Sequence, residues 1–367
     1  MKIVMVDFFL PNSIYSLELC DKLSAEHEVV LICKDNYKPD RQFNFTILPI
    51  LHSSSKNPAQ AFALYIKDLK KIYRQVKETK ADILHLQGVQ HFYWETRLLK
   101  AVKKTGCKVF FTAHNILSHE TRKGEKKALN KWYHNFDGII VHNKMSKKML
   151  LEASDYRGKI YVIAHGAYGT YKNCLRRKTN NTDKTVFLQF GIIRDYKGVD
   201  ILLQAVSMLP EEYRKKALFV IAGSLQKRYY DFDIQAKVKE LGIEECVELK
   251  ISRIDDDKVP ELFNNSDCCV FPYRHIYGSG ALLMAYTFNK PVIVSSVPVF
   301  CEETNNGETG IIFEKNDPDK LSEAIVKYIV MDESEKILYQ KAIQKAVEKK
   351  YNWTVSAQET LKAYKNY

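Results

Sequence analysis

Two short stretches hold residues whose types and spacing suit a phosphate. The first reads FGIIRDYKGVDILLQA, from Phe190 to Ala205. An apolar run, Val186 to Phe190, meets Gly191. Arg194 and Lys197 follow three residues apart, then Gly198. Beyond them Leu202, Leu203, Val206 and Leu209 recur at helical spacing, so the segment predicts a strand, a turn and a helix lying on a sheet. Two cations beside a helix N-terminus, with its open backbone N–H groups, form an arrangement that grips a diphosphate. The second stretch reads FPYRHIYGSGALLMAYTFNKPVIVS, from Phe271 to Ser295. Gly278 and Gly280 flank Ser279 ahead of a predicted helix Ala281–Phe288, and glycine there lets backbone approach a ligand closely. A third candidate is the loop AHNILSHE (113–120), which carries His114, His119 and Glu120.

The elements that must position these loops alternate regularly. Strands are predicted at Lys2–Val6, Glu28–Cys33, Phe43–Ile50, Asp82–Leu86, Lys108–Thr112, Gly138–Val141 and Lys159–Ile163, with amphipathic helices between them. Asn12 falls in the loop after the first of these strands, and Gln87 in the loop after Asp82–Leu86. Residues 166–183 have no period and read as a linker. The alternation restarts with strands near 186–190, 218–222, 246–250, 268–271, 291–294 and 309–313, followed by helices at 317–331 and 333–350 and a short amphipathic one at the end. This predicts an α/β chain of two wound parallel sheets, with the phosphate loops at the carboxyl edge of the second. His165-Gly166 reads as a turn-shaping pair rather than a chemical one.

At 367 residues the chain has room for two domains, and 46% apolar with 27% charged residues fits a globular protein. No run of 18 apolar residues predicts a spanning helix. The opening MKIVMVDFFLPNS is interrupted by Asp7 and reads as a strand rather than a signal peptide. The eight cysteines include no CxxC and most sit in apolar runs, so they read as reduced core residues. The net charge of +12 is one-sided: residues 1–172 hold 28 Lys and Arg against 16 Asp and Glu, while 173–367 hold 28 of each. An excess confined to one half points to an anionic surface, and the Lys-rich runs 123–131 and 144–148 beside Trp132, Met145 and Leu150 suit lipid headgroups. The same charge would suit nucleic acid, but no recognition motif accompanies it, so no nucleic acid partner is expected.

Beyond these local readings, the chain resembles the GT-B glycosyltransferases of retaining family 4. The resemblance rests on FGIIRDYKGVDILLQA, on VIAG at 220–223, on DDDKVPELFNNSDCCVFPYR, on SGALLMAYTFNKPVIVS, on FCEETNNGETGIIFEKNDPDKLSEAI and on the closing YNW, with FTAHNILSHE and YVIAHGAY weaker matches in the first half. It implies two Rossmann-like domains facing a cleft: an acceptor-side domain at 1–172, a linker at 173–184, a nucleotide-sugar domain at 185–350, and a helix at 351–367 crossing back to the first. It implies that Arg194 and Lys197 bind the donor diphosphate together with the backbone of Ser279, Gly280, Ala281 and Leu282, and that His114 lies beside the donor sugar, giving His114, Arg194 and Lys197 catalytic roles. Gly191, Gly223, Arg274, His275, Tyr277 and Glu302 fall around the donor sugar or nucleotide, and Asn12, Gln87 and His119 on the acceptor side. The substrates implied are a nucleotide-diphosphate sugar and a saccharide acceptor, lipid-linked in the bacterial polysaccharide subset, handled by a cytoplasmic enzyme peripheral to the inner membrane face through its basic first domain.

The resemblance implies no cofactor and no metal. The acidic pairs Asp231-x-Asp233, Asp255-Asp256-Asp257 and Asp317-x-Asp319 each sit where a helix is predicted to start and read as caps. No dinucleotide-binding, Walker or nucleophile-elbow motif occurs. One departure from the family stands out. Its two glutamates, eight apart, fall here on Ile276 and Met284, neither of which accepts a hydrogen bond from a hydroxyl. That departure keeps open a non-catalytic sugar-nucleotide-binding partner. A GT-B sugar-nucleotide epimerase is the other alternative, and it requires cleft carboxylates that the sequence does not place.

Overall fold

The computed structural model describes residues 1–10, 14–39, 41–53, 57–116, 124–176, 178–179, 182–226 and 230–367. The chain forms two compact units, Met1–Gly166 with Asn352–Tyr367, and Ala167–Tyr351. The first holds seven parallel strands, β1 (Lys2–Val6), β2 (Glu28–Lys34), β3 (Thr46–Leu51), β4 (Ile83–Leu86), β5 (Lys108–Thr112), β6 (Gly138–Val141) and β7 (Lys159–Val162). The second holds six, β8 (Thr185–Phe190), β9 (Ala217–Ala222), β10 (Val247–Lys250), β11 (Cys268–Phe271), β12 (Val292–Ser295) and β13 (Gly310–Phe313). Most are unbroken apolar runs buried on both faces, which is what a parallel sheet covered by helices requires.

Strand order locates where each sheet can bind. In the first unit it is β3-β2-β1-β4-β5-β6-β7, and in the second β10-β9-β8-β11-β12-β13. The order reverses between β1 and β4, and again between β8 and β11. At such a reversal the flanking loops diverge and leave a crevice at the carboxyl ends of the strands. The loop carrying Arg194 and Lys197 leaves β8, and the loop carrying Gly278–Gly280 leaves β11, so both border the second reversal.

The closing helix Trp353–Lys365 packs in the first unit. Trp353 is buried with its ring 5.1 Å from those of Tyr15 and His165, and Ser356 donates to the Ala164 carbonyl at 2.7 Å. Gly166 has no room for a side chain, because a Cβ there would lie 2.4 Å from the indole. The chain passes to the second unit after Gly166, earlier than the expected boundary at 172. Tyr168 already donates its N–H to Thr287, and the expected linker is pinned farther on by Asn264 to Cys174 and Arg176 and by a Lys178–Asp267 ion pair at 2.8 Å. Asp233 and Asp317 cap their helices by accepting from the backbone N–H of Ala236 and Lys320. The cysteines are free thiols, six of them buried.

Candidate active site

In the second unit the cationic turn is built to close tolerance. The segment Asp195–Lys197 forms one 3-10 turn, and Gly198, at φ 63°, launches the helix Val199–Ser207. A Cβ at Gly198 would strike the Pro272 carbonyl oxygen at 2.1 Å, so the turn rests directly on the backbone leaving β11. Arg274 fastens the two loops: its N–H donates to the Tyr196 carbonyl at 2.7 Å, and its guanidinium reaches the Asp195 carbonyl and both oxygens of Asp200. Arg274, expected at the donor sugar, therefore spends its charge on Asp200. A fork of this kind is one of the stronger polar contacts a protein makes.

Among the described residues Lys197 has no such partner. It is 8% exposed, its backbone carbonyl accepts from Gln189, and its ammonium lies 5.3 Å from the centroid of the buried Tyr273 ring. A Cβ on Gly191 would come within 2.8 Å of the nitrogen, so glycine at the end of β8 makes room for it. Burial pushes its pKa down to about 8, Arg194 pushes the same way, and no carboxylate offsets them. Arg194 donates to the Gln226 side chain at 2.7 Å. Gly223, at φ 149°, packs its backbone against Gly191. Two cations beside tightly apposed backbone at a strand-order reversal favour an anionic ligand.

Ser279 caps the helix Gly280–Thr287, its hydroxyl accepting from Leu282 N–H at 3.2 Å. Among the described residues this leaves the N–H groups of Gly280 and Ala281 as the open donors of that helix end. Neither Gly278 nor Gly280 has positive φ, so backbone angle does not demand them. Space demands the second: a Cβ at Gly280 would lie 2.6 Å from the Tyr168 hydroxyl. His275 is exposed with its ring 5.3 Å from Tyr196, and Tyr277 is buried. Glu302 and Glu303 end the helix Pro298–Glu303, where a carboxylate meets carbonyl oxygens, so they cannot serve as N-terminal caps.

In the first unit His114 belongs to a chain of half-buried imidazoles. His142 Nδ1 donates to the Ile163 carbonyl at 3.1 Å, which leaves His142 Nε2 to accept from His114 Nδ1–H at 2.9 Å. His114 Nε2 lies 3.1 Å from Gln87 Oε1, whereas Gln87 Nε2 faces Met5 Sδ and His85. Because that oxygen only accepts, a lone pair on Nε2 requires the Gln87 amide turned so that its NH₂ faces the ring. A substrate hydroxyl reaching Nε2 would share it with Gln87. His85 adds bonds to Tyr364 and Thr112. Burial holds His114 well below the usual value, His142 down to about 4, and His85 and His165 to about 3. His165 Nδ1 donates to the adjacent Gly166 carbonyl at 2.6 Å, in keeping with a turn-shaping role. Asn12 and His119, expected on the acceptor side, lie outside the described residues.

The sequence reading missed Tyr273 beneath Lys197, the partners His142 and His85, and a buried Asp68 bonded to His52 at 2.7 Å. Tyr273 sits inside the quoted PYR motif and was the one most open to notice.

Comparison with known proteins gives this geometry a family. The model described as "Glycosyltransferase Family 4" matches residues 13–167, and that described as "Glycosyl transferases group 1" matches 172–345. Together they span most of the chain, which belongs to the family 4 glycosyltransferases of the GT-B fold. Curated relatives include a GDP-mannose:glycolipid 4-beta-D-mannosyltransferase of Xanthomonas campestris pv. campestris, 22% identical over 53% of this chain and 52% of that protein. The O-antigen chain mannosyltransferase B of Escherichia coli is 25% identical over 48% and 45%. The D-rhamnosyltransferase WbpZ of Pseudomonas aeruginosa is 24% identical over 84% and 80%. The match thus spans about half the length of the first two. Among solved structures, sucrose-phosphate synthase from Thermosynechococcus elongatus superposes with TM-score 0.77 at 16% identity, covering 100% of this chain and 98% of that one. Anabaena HepE, in complex with UDP and glucose, gives 0.76 at 14%, covering all of both chains.

Two outcomes follow from these pKa displacements. Because Lys197 loses its proton at about 8, UDP or GDP affinity by calorimetry should be flat up to neutral pH. Above about 8 it should weaken toward roughly tenfold per pH unit, and Lys197→Ala should bind weakly with no such limb. A wild-type affinity level to pH 9.5 would remove Lys197 from the phosphate site. The second outcome concerns His85, His114, His142 and His165, each held below the ordinary 6.5. Below that value the unfolded chain binds more protons than the folded one, so stability present at neutral pH is lost as pH falls toward about 4. Asp7 and Glu95, raised by burial, oppose this but are fewer. All three tryptophans, Trp94, Trp132 and Trp353, lie in the first unit. Tryptophan fluorescence should therefore report an earlier thermal transition at pH 5 than at pH 7, ahead of far-ultraviolet dichroism. Superimposable melts at both pH values would contradict the neutral-imidazole assignment.

Proposed function

We propose that this chain transfers a hexose-type sugar, with retention at the anomeric carbon, from a nucleoside-diphosphate sugar to a saccharide acceptor in the assembly of a surface polysaccharide. The observation that carries the reading is Lys197, a buried cation with no carboxylate partner at the reversal of the second sheet. The departing diphosphate supplies that missing charge. Lys197, Arg194 and the Gly280 and Ala281 N–H groups stabilise it as the glycosidic bond breaks, which is where charge grows in the transition state. A diphosphate oxygen takes the proton of the incoming acceptor hydroxyl on the same face of the sugar, so no protein nucleophile is called for. Two fixed cations fill the electrostatic role a metal would otherwise play, and the proposal includes neither metal nor cofactor. Mannosyl and rhamnosyl transfer among the named relatives supports a hexose or deoxyhexose donor.

The acceptor in this proposal is lipid-linked and the chain works as a peripheral protein at the inner membrane face. Among the described residues no helix is long and apolar enough to cross a membrane. Support comes from the charge of the first half, 28 basic against 16 acidic residues in 1–172.

Incubation with a panel of UDP- and GDP-sugars and membrane extract tests the reaction. Acceptor-dependent release of nucleoside diphosphate is expected, with Lys197→Ala lowering kcat by about 10² to 10³ and NMR showing a retained anomeric configuration. A changed free sugar nucleotide would indicate epimerisation. Tight binding without turnover, which the apolar Ile276 and Met284 would favour, would indicate a non-catalytic partner. For the membrane, co-sedimentation with vesicles should rise with anionic lipid content and fall with salt. Indifference to both would remove membrane docking.

A further inference from the structure

A cavity of about 370 Å³ opens at the carboxyl edge of the first sheet, away from His114. Lys34 lines it from the end of β2, His52 and Ser53 from beyond β3, Phe62 and Tyr65 from the helix Pro58–Glu78, and Gln90 and His91 from beyond β4. None of these residues was singled out for a site by sequence, apart from the loop that holds Gln90 and His91.

Two buried carboxylates hold its polar rim in place. Asp68, 4% exposed, accepts from His52 N–H at 2.8 Å and from His52 Nδ1–H at 2.7 Å, and pairs with Lys71 at 3.2 Å. With Nδ1 donating, the neutral ring carries its lone pair at Nε2. Glu95, fully buried, gathers the N–H groups of Gln90 and His91 and the Tyr65 hydroxyl on one oxygen, at 2.8, 3.2 and 2.9 Å. The loop after β4 is thereby fixed against the helix that carries Tyr65. Beside this rim Phe62 is 42% exposed and backed by Trp94 at 5.6 Å. An apolar ring that folding leaves open next to oriented polar groups suits a ligand with one apolar face and a periphery of hydroxyls.

We infer that this cavity binds a pyranose unit of the acceptor. The inference rests on the glycosyltransferase reading and goes beyond it by assigning residues and an acceptor class. The C–H face of the sugar packs on Phe62, while its hydroxyls meet His52 Nε2, the Gln90 amide and His91. Asp68 is paired with Lys71, so among the described residues the groups it holds on the rim, His52 and its backbone N–H, suit hydroxyls.

Saturation-transfer NMR on the full chain tests this with methyl α-D-mannopyranoside, methyl α-D-glucopyranoside and methyl α-L-rhamnopyranoside, alongside UDP and GDP titrations of the same samples. At least one glycoside should receive saturation with millimolar affinity. Phe62→Ala and His52→Ala should each reduce that signal about fivefold, Phe62→Tyr should keep it, and nucleotide affinity should be unchanged in all three. Excess inorganic phosphate should not displace the sugar. Absence of glycoside signal, an equal signal in the alanine variants, or displacement by phosphate would each overturn the proposal while leaving nucleotide binding intact. Failure of UDP and GDP to bind, with glycoside binding retained, would instead overturn the transferase reading and keep the saccharide site.

Discussion

The second unit is arranged around one buried ammonium. Lys197 is held over the glycine that ends β8, against the ring of Tyr273, without a carboxylate. Taking a cation out of water costs several kcal/mol unless something answers it, and a cation–π contact returns only about 1–2 of those. The surrounding structure keeps the side chain from escaping to solvent. Gln189 holds the Lys197 carbonyl, Gly198 seats the turn on Pro272, and Arg274 ties the turn to the β11 loop through Asp200. The division of labour between the two cationic side chains is physical. Arg274 has a fork suited to a carboxylate and spends it on architecture. Lys197 has a point charge, and among the described residues no carboxylate takes it.

The first unit solves the opposite problem. Its candidate group, His114, sits in a chain of imidazoles that burial keeps neutral. A neutral chain has a direction: the Ile163 carbonyl dictates the His142 tautomer, and that tautomer asks His114 Nδ1 to donate. With burial depressing both rings, neither gains a charge near neutral pH. Trp353 and Tyr364 of the closing helix complete the packing around these rings, so that helix contributes to the chemistry of the first unit as well as to its core.

Much of this was legible in sequence because it is written locally. The strands are apolar runs that no helix period explains, and the glycines at 191, 198 and 223 stand where a run meets a cation-bearing turn. Alternation predicted two parallel sheets, while the reversal of strand order that the two loops border came only from the strand pairing. What stayed hidden was pairing across elements. Arg274 looked like a sugar ligand until Asp200, more than seventy residues earlier, was found beside it. His142 reads as one polar residue after an apolar strand, and only the neighbouring of β5 and β6 brings it to His114. His52 and Asp68 lie on different elements, and nothing in their spacing marks them as partners.

The apolar pair at 276 and 284 is where the chain departs from the family resemblance. Ile276 is 9% and Met284 8% exposed, and the helix Gly280–Thr287 is buried from Leu282 to Thr287 with no acid in its first turn. Where the family resemblance would put glutamates, this chain presents hydrocarbon. Neither side chain accepts a hydrogen bond from a hydroxyl, so any hydroxyl contact at those two places falls to other polar groups of the loop.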